Sequence, residues 1–99
     1  LDYPIWLSRQ LMARAWLNLH RPDLARKLML DDGRHAMSDP SYHLLQAHCP
    51  YEERALEAAL HLAERIQAQH GRTWQQRHQD LLDGYRRAHQ QKQWFPLPI

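Results

Sequence analysis

The chain contains no Val, a single Thr (Thr73) and Ile only at Ile5, Ile66 and Ile99. A pleated sheet recruits β-branched side chains, because they are stiff at χ1 and pack well on its surface. Leu, Ala, Gln and Arg take their place here, and all are good helix formers. The expected fold class is therefore all-α, with about five helices.

A length of 99 residues suits one domain, expected to span 1–99. Because the chain begins at Leu1, it reads as a piece of a longer protein. The net charge of +2 with neutral His is mildly basic, short of the bias of a dedicated nucleic-acid binder. The single cysteine, Cys49, excludes an internal disulfide and fits a reducing, cytoplasmic compartment. No apolar run has the length of a membrane span, so no membrane span is expected.

Turn and cap residues divide the chain. Pro4 suits a first helical turn, and the first helix is expected from about Pro4 to Leu19, with a polar stripe of Gln10, Arg14 and Asn18. Apolar residues cover the rest of it, which places it at the centre of the fold. Pro22 and Asp23 open a second helix that buries Leu24, Ala25, Leu28 and Met29 and ends at Gly33. Arg34–Ser38 reads as a loop. Asp39 caps a short third helix ending near His48, and Pro50 opens a fourth that runs to about His70, with Gly71 as its stop. Its apolar stripe is Leu56, Ala59, Leu60, Ala63 and Ile66, and Glu52, Glu53, Glu57 and Glu64 are expected in water. Thr73-x-x-Gln76 reads as a capping box for a last helix, 73–93, with Trp74, Leu81, Leu82, Tyr85 and Ala88 on one side. Gly84 should weaken that helix by about 1 kcal/mol relative to Ala. The tail 94–99 is apolar, and Pro96 and Pro98 keep it from continuing the helix. One core is expected to join Trp16, Ala25, Leu28, Met29, Leu56, Leu60 and Ile66.

The arrangement amounts to a hairpin over 4–32, a second over 39–70 and a terminal capping helix. His20-x-Pro22 and His48-x-Pro50 echo one another at the two joints. Solenoids of helical hairpins are built this way. The first hairpin, about Arg9 to Pro40, resembles a tetratricopeptide-type repeat. Ala13 and Ala25 fall on its small positions, Trp16 on its aromatic position, Met29 on its large apolar one, and Asp39-Pro40 near its terminal proline. Arg9, His20 and Asp32 depart from that pattern, and the second hairpin keeps the architecture without the motif. The resemblance implies antiparallel helices stacked as a short array, and a scaffold that binds protein, of the kind found in bacterial regulators and secretion-system chaperones.

The candidate chemistry is sparse. No two histidines are spaced by three or four residues, so no metal is expected. The nearest approach to a ligand set is His43, His48 and Cys49. His48 and Cys49 are adjacent and point apart on a helix, so no catalytic pair and no cofactor is expected. The expected partner-binding residues are Trp74, Arg77, Tyr85, Arg86, Trp94, Phe95 and Leu97, on the last helix and the tail. Clustered aromatics mark partner sites, although the tail has the alternative of folding back onto the domain. A protein partner, a neighbouring domain or a second copy fits this surface. Arg72, Arg77, Arg86, Arg87 and Lys92 interleaved with aromatics leave open a nucleic-acid-binding alternative, and the chain also fits a non-catalytic part of an enzyme.

Overall fold

A computed structural model describes residues 5–29 and 39–99. They form α1 (Ile5–Asn18), α2 (Pro22–Met29), α3 (Pro40–Glu52), α4 (Leu56–Gln69) and α5 (Gln76–Gln91), with no strand among the described residues. The fold is all-α. Consecutive helices pack on one another, and α3 also touches α1 and α5. The expected helix start at Pro4, the Gly33 stop and the loop Arg34–Ser38 lie outside the described residues.

Two boundaries depart from expectation. Pro50 opens no helix but sits in the last turn of α3, and α4 begins only at Leu56. Proline suits a first turn because its missing N–H costs nothing there, whereas inside a helix it removes a bond. The extra turn offsets that cost by burying Tyr51 and by placing Glu52 one turn from His48. At the other end of the chain, Thr73 does not cap α5. Its hydroxyl donates to the His70 carbonyl at 3.3 Å, and Gln75 takes the cap position, its N–H donating to His78 Nδ1 at 2.9 Å.

Three helices close alike. His20, Arg54 and Lys92 have φ of 61, 69 and 51°. Each lies within a pair of reversed bonds: Arg21 N–H to Trp16 O with His20 N–H to Leu17 O, then Ala55 to Pro50 with Arg54 to Tyr51, then Gln93 to Ala88 with Lys92 to His89. This is the Schellman closure, which ordinarily recruits glycine.

The core is two clusters rather than one. Ala13, Leu17, Ala25, Met29, Tyr42, Leu45 and Cys49 form the first, with Trp16 and Leu28 partly buried against it. Leu44, Ala47, Tyr51, Ala59, Leu60, Ala63, Ile66, Leu81, Leu82, Tyr85 and Ala88 form the second, with Leu56 at its margin. The expected common core is thus split, because α3 stands between the two groups and faces both. α3, not α1, is the central helix.

Candidate partner-binding surface

The structure scatters the residues expected to meet a partner. Tyr85 is fully buried, and its hydroxyl lies 2.7 Å from His48 Nδ1, so it supports the interior and offers nothing to a partner. Trp74 is half-buried, its Nε1–H donating to Gln79 Oε1 at 2.8 Å. Arg77 is exposed and donates to Ser41 Oγ at 3.1 Å. Arg86 is engaged by Asp83 at 3.4 Å and Glu64 at 3.7 Å.

The tail folds back. Trp94, Phe95, Leu97 and Ile99 pack against the larger cluster. Tyr51 ties them down: its hydroxyl donates to the Phe95 carbonyl at 2.6 Å and accepts the Phe95 N–H at 3.2 Å. The Arg54 guanidinium lies 3.7 Å above the Trp94 ring, a cation–π contact. Leu97 occupies the space over Gly84.

A buried polar cluster escaped the sequence reading. Glu52 does not face water. Its Oε1 lies 3.2 Å from His48 Nε2, and its Oε2 lies 2.9 Å from His20 Nδ1. A neutral His48 satisfies every partner, with Nε2–H donating to Glu52 and Nδ1 accepting from Tyr85. Burial lowers its pKa to about 4, outweighing the pull of Glu52. The signal was present as His48-x-x-x-Glu52, one turn apart, but the expected break at Pro50 hid it.

Cys49 faces the other way. Its Sγ–H points to the Leu45 carbonyl, and burial pushes its pKa up to about 11, which keeps it a thiol at neutral pH. His43 stacks on His70 with ring centroids 5.2 Å apart, so His43, His48 and Cys49 do not converge. Among the described residues no three His, Cys, Asp or Glu side chains form a group able to hold a metal, and no helix is long and apolar enough to cross a membrane.

The surface feature that sequence reasoning missed is on α1 and the turn that follows it. Leu11, Met12 and Leu19 are 52, 51 and 64 % exposed, and Ala15 is exposed between them. Two of the three stripe residues are turned inward instead: Gln10 is buried, Arg14 is half-buried, and Gln10 Oε1 and Arg14 Nε are closed off without a partner, whereas Asn18 stays exposed. A helix apolar over most of its circumference carries only a weak pattern to say which side faces in. Ala13 and Leu17 suit the close approach to α2 and α3, so the bulkier stripe was left outside. No family model, no curated protein and no solved structure matches the chain.

Proposed function

We propose that this chain is a protein-binding helical module whose docking face is the outer side of α1. The observation that carries the reading is the run Leu11, Met12, Ala15 and Leu19, exposed along α1 and the turn after it, while the opposite side of the helix is packed. Isolated apolar residues on a surface are ordinary, whereas a contiguous stripe marks an interaction site. The occupant is an amphipathic helix whose own apolar stripe lies along this one. Support for a tetratricopeptide-like scaffold comes from Ala13 and Ala25, both wholly buried at the contact of α1 and α2.

The test uses a display library of amphipathic helices selected against the chain. Enriched peptides should carry a Leu stripe at helical spacing. Their binding should fall at least tenfold on Leu11→Asp or Leu19→Asp, both exposed positions that leave the fold intact, and hold on Ala58→Asp on α4. Peptides that bind all three variants alike, or a selection that enriches nothing, would sink the reading.

A further inference from the structure

α1, the beginnings of α3 and α5, and the tail line a half-open cavity of about 240 Å³. Leu44, Leu45 and Leu81 make its apolar floor, and Arg14, Ser41, Arg77 and His78 are its polar lining. Its size is below the roughly 300–1,000 Å³ of sites that enclose drug-sized ligands, so any occupant is small.

The hydrogen bonds among its polar side chains leave donors and no side-chain acceptor. His78 Nδ1 accepts the Gln75 N–H, so its Nε2 carries the proton and donates to Ser41 Oγ at 2.7 Å. Arg77 donates to the same oxygen at 3.1 Å. Ser41 Oγ, having accepted both, keeps its own hydrogen to give. Arg14 Nε is sealed from water with no acceptor, a costly state for a guanidinium N–H. Neither Arg14 nor Arg77 is held in an ion pair among the described residues. The cavity also lies at the positive ends of two helix dipoles. Asp39, the nearby acid, is occupied as the α3 cap, accepting the Ser41 N–H at 2.9 Å.

We propose that this cavity binds a carboxylate carried on a short apolar body, with Arg14, Arg77 and Ser41 donating to the carboxylate and the leucines holding the body. Guanidinium groups match a planar carboxylate in geometry, and an apolar floor discriminates against an inorganic anion. A free short-chain acid and the C-terminal residue of a peptide both present this chemistry. The site is separate from the docking face, since none of Leu11, Met12 or Leu19 lines it.

The test is a titration of the full chain, followed through the Arg Nε–Hε resonances. The probes are butyrate, inorganic phosphate, 1-butanol, and a hexapeptide ending in Leu as its free acid and its amide. Butyrate, the free-acid peptide or both should shift the Arg14 resonance saturably, and whichever binds identifies the source. Butanol, phosphate and the amide should bind at least tenfold more weakly. Arg77→Gln, at an exposed position, should weaken carboxylate binding at least tenfold, whereas Arg65→Gln on α4 should leave it unchanged. The assignment is overturned if no carboxylate saturates, if butanol or phosphate binds equally well, or if the two arginine variants lose equally.

Discussion

His48 shows how a polar residue becomes core. Its ring is 1 % exposed and is sandwiched by interactions with Tyr85, Tyr51 and Glu52. The neutral ring occupies both nitrogens, and burial holds its pKa near 4 against the usual 6.5. The unfolded chain therefore binds the extra proton first as pH falls. Stability is fully present above pH 6.5 and declines between about 6.5 and 4, by at most about 3 kcal/mol. Urea unfolding at pH 7 and at pH 4.5 should show this decline, and His48→Gln should flatten it. Parallel pH profiles for the two proteins would mean that another group is responsible. Burial also lowers the pKa of His70 and His78, adding smaller slopes of the same sign.

At the scale of elements, α5 carries an apparent defect with a packing reason. Gly84 in the middle of a helix costs about 1 kcal/mol in propensity against Ala. A Cβ at that position would stand 2.7 Å from Leu97 Cδ2 and 3.3 Å from Leu97 Cγ. The glycine thus makes the seat for the tail. Gly84→Ala should gain none of the helix propensity: the melting temperature should hold or fall, and Trp94 fluorescence should shift to the red as the tail lifts. A gain equal to the full propensity difference, with unchanged fluorescence, would show that Leu97 moves aside freely. The Schellman ends belong to this scale too. His20, in the left-handed region at some cost in backbone energy, is held there by Glu52 and by its edge contact with Trp94, ring centroids 6.2 Å apart.

Across the whole molecule the two clusters are unequal. The cluster of α3, α4 and α5 holds eleven buried apolar side chains among the described residues, and that of α1, α2 and α3 holds seven. α2 has only eight residues, too short to persist without its packing. Native-state hydrogen exchange should therefore find α1 and α2 opening together at a lower free energy than α4 and α5. Uniform protection across all five helices would show one cooperative unit instead.

Much of this architecture was legible in the chain itself. The lack of Val and the run of Leu, Ala, Gln and Arg determined an all-α fold, because helix and sheet recruit different side chains. Pro22 and Asp39-Pro40 marked true helix starts, because their effect is local and steric. Pro50, Thr73 and the αL residues His20, Arg54 and Lys92 misled or stayed silent, because each local preference was outweighed by a tertiary gain. Trp74 and Arg77 stayed near the surface, while Tyr85 went to the core and the tail folded back onto Tyr51. Only the tertiary structure decided which side of α1 faces out, that Glu52 is buried, and that Arg14, Ser41 and Arg77 line one cavity. Those outcomes depend on groups far apart in sequence meeting in space, and periodicity along one helix carries no information about what its neighbours supply.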